Sequence, residues 1–206
     1  MGICIIDYGF GNIWSLKSAI NYLGYQCQVT SNPEDILRAE KIFLPGVGAF
    51  KSAMKALEKL KLRTAIVDSV TKEGNKIMGI CLGMQVMAEV GTENGTTSGL
   101  GLFQGKIELI PSSVGIKVPH IGFNNVNTES ESRLFRGLPN HSDFYFVHSY
   151  QLTLPPPNGI SAFTNYGDRF VSAFESENVF ATQFHPEKSQ SNGLTVLKNF
   201  LEISRA

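Results

Sequence analysis
The chain opens on Ile3-Cys4-Ile5-Ile6, an unbroken apolar run that ends at Asp7 and a glycine turn. A run that is apolar at every position, not at alternate ones, marks a strand buried on both faces, as in a parallel sheet. The pattern returns at Lys41-Ile42-Phe43-Leu44, cut off by Pro45-Gly46, and again at Lys76-Ile77-Met78-Gly79-Ile80. Helical patterns lie between these runs. Asn12 opens one, with Ile13, Leu16, Ile20 and Leu23 on a single stripe and Gly24 at its end. Asn32-Pro33 opens a short one, and Ala49–Leu60 and Leu62–Glu73 supply two more. Tyr25, Cys27 and Val29 alternate with glutamines as a further strand. Strands alternating with helices predict an α/β fold, a mostly parallel sheet covered by helices on both faces.

The second half changes character. Gln104–Ile110, Ile121–Asn127, Asp143–Val147, Ile160–Thr164, Arg169–Glu175 and Val179–Phe184 are short, β-rich and separated by turn signals. They predict antiparallel or mixed strands, the last of them placed to rejoin the main sheet. Ser191–Ser204, with Leu194, Leu197, Phe200 and Leu201 on one stripe, predicts a closing helix. Pro155-Pro156-Pro157 reads as a rigid surface loop. There is no internal repeat and no linker-like stretch. A chain of 206 residues is long enough for one good core, so 1–206 reads as a single domain.

Charge and cysteine content exclude several classes. Lys plus Arg number 18 and Asp plus Glu also number 18, so no basic footprint points to nucleic acid or an anionic membrane. No apolar run approaches the ~18 residues that span a bilayer. Met1-Gly2-Ile3-Cys4 lacks a basic leader and cleavage site, and Ile6 stands where myristoylation needs Ser or Thr. Three widely spaced cysteines argue against a disulfide framework and for a reducing compartment. The expectation is a soluble, cytoplasmic chain.

Cys81 lies within Gly79-Ile80-Cys81-Leu82-Gly83, between the strand ending at Ile80 and the apolar segment Leu82–Val90, which reads as a helix. A nucleophile at such a junction sits on a sharp turn that small neighbours permit, and the helix N-terminus favours a thiolate. Cys4 and Cys27, on expected buried strands, read instead as small core residues. His185-Pro186-Glu187 supplies a base and a carboxylate. Proline holds the residue before it extended, and residues two apart on an extended segment share a side. Glu187 can therefore reach the His185 nitrogen that faces away from the nucleophile, the third-group role of a triad. The competing reading, a surface turn with no partner, loses ground once Cys81 is considered.

Oxyanion donors are also available. Leu44-Pro45-Gly46-Val47-Gly48-Ala49-Phe50 follows a strand and precedes a helix, and its glycines leave the Val47 peptide free to turn an N–H toward a site. The Leu82 amide, directly after the nucleophile, is the second donor. Gly9-Phe10-Gly11-Asn12-Ile13-Trp14 begins like a dinucleotide fingerprint but has Trp14 where that motif needs glycine. The cysteines and histidines lack metal-ligand spacing, so no metal and no cofactor is expected.

Six motifs, running nearly end to end, carry a resemblance. They are Asp7-Tyr8-Gly9 through Gly11-Asn12-Ile13, Leu44 to Phe50, Gly79 to Gln85, Val118-Pro119-His120-Ile121-Gly122-Phe123-Asn124, Phe146-Val147-His148-Ser149-Tyr150, and Ala181 to Ser189. The chain resembles the class I glutamine amidotransferases and, within them, the glutaminase subunits of imidazole glycerol phosphate synthase. The resemblance implies a flavodoxin-like sheet and a Cys81-His185-Glu187 triad that hydrolyses L-glutamine to glutamate and ammonia through a thioester. It implies an oxyanion hole from Val47 and Leu82, and glutamine binding by Gly46, Gly48, Gln85, Ser149 and Tyr150. It also implies a (β/α)8-barrel cyclase partner that receives the ammonia and forms imidazole glycerol phosphate and an aminoimidazole carboxamide ribotide. Asn12, His120, Ile121, Phe123 and Lys188 match positions facing that partner.

Two departures bear on this reading. Phe123 stands where such proteins usually carry tryptophan, and the loop Gly91-Thr92-Glu93-Asn94-Gly95-Thr96-Thr97 is rich in Gly and Thr where relatives are often more acidic. Neither touches the triad. Three other readings stay open at this level: a glutaminase that serves a different synthase, such as one amidating a surface sugar; a catalytically silent regulatory subunit; and a cysteine hydrolase or peptidase of similar fold. The intact Cys81, His185 and Glu187 argue against the second, and Gln85 with Phe146–Tyr150 against the third.

Overall fold
The structure, a computed structural model, describes residues 2–112, 115–128 and 131–204. The first half runs β1 (Ile3–Ile6), α1 (Ile13–Tyr22), β2 (Gln28–Thr30), α2 (Pro33–Arg38), β3 (Lys41–Gly46), α3 (Phe50–Lys59), α4 (Leu62–Thr71), β4 (Lys76–Cys81) and α5 (Leu82–Met87). The strands of the second half are β5 (Ala88–Gly91), β6 (Thr97–Ser98), β7 (Phe103–Leu109), β8 (His120–Val126), β9 (Ser142–His148), β10 (Tyr150–Leu152), β11 (Ile160–Tyr166), β12 (Asp168–Glu175) and β13 (Val179–Thr182). A 3-10 turn, Pro186–Lys188, and α6 (Gln190–Glu202) follow.

The main sheet is ordered β2-β1-β3-β4-β13-β12-β10-β7-β5-β6, with β11 added against β12. From β2 to β13 every pairing is parallel, in the doubly wound order of flavodoxin-like folds. Side-chain alternation explains the continuous apolar runs. Cys4, Ile6, Ile42, Leu44 and Ile77 enter one core with residues of α2, α3 and α4. Ile3, Ile5, Phe43, Met78 and Ile80 enter the other, with residues of α1 and α6. Both faces of the strands are covered, so past Lys41 and Lys76 at the strand starts neither position of the two-residue repeat is polar. The expected α/β sheet is present, and the last β-rich segment does rejoin it, with β13 parallel to β4.

Several local expectations are corrected. The segment after Cys81 is not helical to Val90. It leaves the helix at Met87, because the Val86, Met87 and Ala88 carbonyls accept from the Leu100, Leu102 and Gly101 amides, and Ala88 pairs with Phe103. β3 does not stop at Leu44. Beyond Phe43 it keeps only its β4 neighbour, which relaxes the demand for an N–H at Pro45, and pairing runs on to Gly46 and Cys81. Cys27 is half-buried and lies just before β2, whereas Cys4 is in the core as expected. The segments expected at Ile121–Asn127 and Asp143–Val147 are β8 and β9, which pair with each other in a separate two-stranded ribbon. Phe144 and Phe146 of that ribbon pack with Phe184, the first at 4.1 Å between ring centroids. Tyr145 fastens it further, accepting from the His185 N–H at 2.9 Å and donating its own to Ser189 Oγ at 2.9 Å.

Close backbone approach positions the end of β4. A Cβ on Gly83 stands 1.7 Å from the Leu44 carbonyl oxygen, and one on Gly79 stands 2.8 Å from the Met84 nitrogen. Only hydrogen fits at either position, so α5 starts directly against β3 and β4. Gly83→Ala is expected to lower stability by at least the ~1–3 kcal/mol typical of overpacking, because the obstacle is backbone. Denaturant unfolding of the two proteins measures the difference; an unchanged midpoint counters this account.

Candidate active site
Cys81 is the last residue of β4 and the one before α5, with φ 55° and ψ −111°. That left-handed backbone is costly for a residue with a Cβ, and such strain collects where a side chain must be presented from a sharp turn. The helix behind it has six residues, so its dipole acts through little more than one turn. Cys81 Sγ lies 3.8 Å from the Val147 carbonyl oxygen, and Gln183 Nε2 approaches it to 3.7 Å.

β13 brings His185. It pairs with β4 in register, Thr182 opposite Ile80, so the chain beyond Thr182 emerges next to Cys81. His185 is buried and extended, as expected before proline. The next three residues form a 3-10 turn, so Glu187 does not reach His185 along an extended strand. The turn folds the carboxylate back instead, and Oε1 sits 2.8 Å from His185 Nδ1. Nε2, the nitrogen left over, is buried and without a hydrogen-bond partner. Burial alone would lower the His185 pKa, but the Cys81 thiol and the Glu187 carboxylate override it and raise it to about 10. Cys81 is thus close enough to the imidazole to raise its pKa through hydrogen bonding first and charge second, although Nε2 lacks an aligned hydrogen-bond partner in this state, a looseness common before substrate binds.

A cavity of about 300 Å³ opens on Cys81, lined also by Val47, Gly48, Leu82, Gln85, Glu93, Pro119 and the segment Val147–Tyr150. This is the small end of the range for ligand cavities, suited to a metabolite more than to a folded polypeptide. A larger hollow of about 550 Å³, between Gly101–Gln104 and Pro156–Gly159, contains neither cysteine nor histidine, so size does not identify the site. Among the described residues no group of three or more His, Cys, Asp or Glu side chains could hold a metal, and no helix is long and apolar enough to cross a membrane.

Of the residues expected from sequence, Val47, Leu82, Gly48, Gln85, Ser149 and Tyr150 share this cavity with Cys81. Gly46 does not line it; a Cβ there would lie 2.8 Å from the Gly83 nitrogen, so its role is to admit α5. Ile121 and Phe123 are exposed at 60% and 53%, Lys188 is exposed, and Asn12 is half-buried. His120 is turned inward, 2% exposed, and so does not face a partner itself. Phe123 packs edge-on against Tyr145, opposite it in the ribbon, and Lys188 Nζ stands over the other ring at 5.7 Å. Trp14, 73% exposed, adds an aromatic that sequence reasoning passed over.

Two residues of the site were missed. Glu93 accepts the Phe50 N–H at 2.6 Å at the start of α3 and places a carboxylate in the cavity wall. Gln183 links Cys81 to Gln85, whose Nε2 donates to Gln183 Oε1 at 3.1 Å and to the Tyr150 carbonyl at 2.8 Å. The parallel strand before Gln183 was the available signal for it. Glu93 had none beyond being the one carboxylate in a Gly/Thr loop.

A family model described as glutamine amidotransferase class-I matches residues 4–203. The chain is 44% identical over 203 residues to the imidazole glycerol phosphate synthase subunit HisH of Moorella thermoacetica, covering 98% of this chain and 95% of that one. It is 44% identical to the subunit of the same name from Chlorobium luteolum, over 97% of this chain and 99% of that one. Among solved structures it is similar in fold to a glutamine amidotransferase, with a TM-score of 0.77 at 16% identity over 98% of both chains. It is likewise similar to PurLQS from Thermotoga maritima, with a TM-score of 0.72 at 17% identity over 97% of this chain and 96% of that one.

The raised His185 pKa has a stability consequence. Its folded value near 10 exceeds the ~6.5 of an unfolded histidine, so the stabilisation is complete below about pH 6.5 and is lost as pH rises toward about 10. Glu187→Gln removes one of the two groups that hold the proton. Denaturant unfolding across that window should show a shallower alkaline loss for the variant than for the wild type, and parallel curves would show that Glu187 does not hold the charge.

Proposed function
The chain belongs to the class-I glutamine amidotransferases, and we propose that it hydrolyses L-glutamine at Cys81 as the glutaminase subunit of an imidazole glycerol phosphate synthase in histidine biosynthesis. The observation that carries the site assignment is the His185–Glu187 pair at 2.8 Å, with the remaining ring nitrogen buried and unbonded within electrostatic range of Cys81. A histidine whose pKa is raised to about 10 holds its proton at neutral pH, and a cation there stabilises charge developing on sulfur.

The reaction follows from these positions. Cys81 Sγ, as the thiolate beside protonated His185, attacks the side-chain amide carbon, and the carbonyl oxygen becomes an oxyanion held by the Val47 and Leu82 N–H groups. His185 gives its proton to the amide nitrogen, the C–N bond breaks and ammonia leaves, with glutamate bound as a thioester. Neutral His185 then takes a proton from water, hydroxide adds to the thioester, and the C–S bond breaks to release glutamate and the thiolate. Glu187 stabilises the imidazolium and holds its Nδ1 without becoming protonated. Gln85, with Oε1 as its remaining acceptor, and the Glu93 carboxylate suit the ammonium end of an amino-acid substrate. Residues 1–206 act as one amidotransferase domain. Its partner is a (β/α)8-barrel cyclase that receives the ammonia, docked on the face carrying Asn12, Ile121, Phe123 and Lys188. Phe123, smaller than the usual tryptophan, alters packing there without touching the triad.

Cys81→Ala is expected to abolish glutamine-dependent synthesis by the complex and to leave synthesis from ammonium intact. Loss of both would assign Cys81 a structural role. Glu187→Gln should cost up to ~10⁴ in turnover, less than loss of the nucleophile; unchanged turnover would leave a Cys-His dyad. The isolated chain is expected to be a poor glutaminase. Gly48, at φ +112°, gives the Val47 peptide room to turn, and an oxyanion donor facing away costs roughly 10²–10³ in rate. Glutamine turnover measured with and without the barrel decides it, and full activity of the chain alone would mean a preformed hole.

A further inference from the structure
His120 and His148 stand directly opposite each other in the β8–β9 ribbon. His120 Nδ1 and His148 Nε2 are 3.0 Å apart, and His148 Nδ1 is 3.0 Å from the Tyr150 carbonyl oxygen. A carbonyl can only accept, so His148 carries its proton on Nδ1. In a neutral ring Nε2 must then accept, which puts the His120 proton on Nδ1 and leaves His120 Nε2 a lone pair. The Asn124 Nδ2 group lies 3.4 Å from that lone pair and also donates to the Asn165 carbonyl at 3.1 Å. Every proton along this run has one direction, from β8 toward the cavity wall.

The run does not stop at Tyr150. The same carbonyl accepts from Gln85 Nε2, whose other hydrogen goes to Gln183, and Gln183 Nε2 reaches Cys81 Sγ. His120 cannot easily turn, because its ring is stacked between Tyr166 at 3.8 Å and Phe146 at 4.8 Å. Both imidazoles are buried, and burial holds His120 down to about 4. For His148 burial leads, and the neighbouring His120 and His185 add to it against the Tyr150 carbonyl, holding it at about 3. A proton on His148 Nε2 would set donor against donor at 3.0 Å.

We propose that His120 and His148 are a positioning pair for glutamine: their one-directional hydrogen bonds hold the Tyr150 carbonyl, and through it the Gln85 carboxamide, in the substrate cavity. His120 does so from β8, the strand whose outward side chains, Ile121 and Phe123, are exposed. Neither imidazole exchanges a proton with substrate. The proposal rests on the glutaminase reading and assigns His120 an indirect part in it, transmitted from the exposed ribbon to the site wall.

A glutamine analogue carrying a diazo-ketone, which alkylates the thiol that attacks it, tests both readings separately. Saturable labelling of the wild type confined to Cys81 supports the glutaminase assignment; labelling of Cys4 or Cys27 instead removes that assignment. Among variants, His120→Leu deletes the donor to His148, and half-saturation is expected at roughly tenfold higher analogue concentration, the equivalent of one buried hydrogen bond. The limiting labelling rate should change far less, because the triad is untouched. His120→Asn, with an amide nitrogen near the Nδ1 position, should recover most of the loss, which a purely space-filling role would not predict. Equal half-saturation for His120→Leu and wild type, or no recovery with His120→Asn, overturns the pair. Nitrogen-15 spectra of the wild-type imidazoles need no variant: both rings are expected neutral with the proton on Nδ1, and a proton on His148 Nε2 overturns the proposal even if His120→Leu does not fold.

Discussion
The site depends on one close approach, that of the first turn of α5 to the ends of β3 and β4. Three glycines meet there: Gly46 faces the Gly83 nitrogen, Gly83 faces the Leu44 carbonyl, and Gly79 lies under the backbone of Gly83 and Met84. With side chains at these places the helix would stand off from the sheet. Cys81 would then lose the left-handed turn that presents its sulfur. Packing energy from two apolar cores holds that turn in place, which is how a strained residue persists in a marginally stable fold.

Register carries the other two members of the proposed triad to the same spot. Thr182 lies opposite Ile80 at the end of the pairing, so Gln183 leaves β13 beside Cys81, which explains why its amide reaches the sulfur. Two residues later His185 emerges on the same edge, fastened through its N–H to Tyr145 of the ribbon. His185 is thus positioned by backbone pairing on one side and by β9 on the other. Its carboxylate comes from the tight turn that follows, not from an extended strand. The motif is short in sequence, but its geometry is set by strands about a hundred residues apart.

This division explains what the sequence disclosed. The parallel strands were legible because burial on both faces writes an unmistakable apolar run, and the proposed triad because Cys81, His185 and Glu187 each sit in a local motif. Beyond Met87 the sequence is as apolar as a helix needs, and only its pairing with the Leu100–Phe103 stretch makes it a strand. β8 and β9 read correctly as strands, yet their separation from the main sheet is a long-range fact with no local signature. His120 matches a motif position expected at a partner, but the stacked Tyr166 comes from β11, which no local pattern places beside it. Glu93 was invisible for the same reason: its link to the start of α3 spans 43 positions.

The three buried histidines share a solvent-poor setting and end in opposite protonation states. Burial pushes all three toward the neutral form. His185 alone has a carboxylate and a thiol beside it, and these reverse the effect. His120 and His148 have aromatic rings, each other and a carbonyl, none of which stabilises a cation enough. The His185 charge itself pushes His148 further down, so the ionised ring helps keep its neighbour neutral. At neutral pH the positive charge is therefore confined to one imidazole, and the other two stay neutral, with donor and acceptor directions that do not change across that range. The proposed hydrolysis asks for both kinds: a ring able to give up a proton, at His185, and a neutral pair, His120 and His148, able to hold the cavity wall while it does.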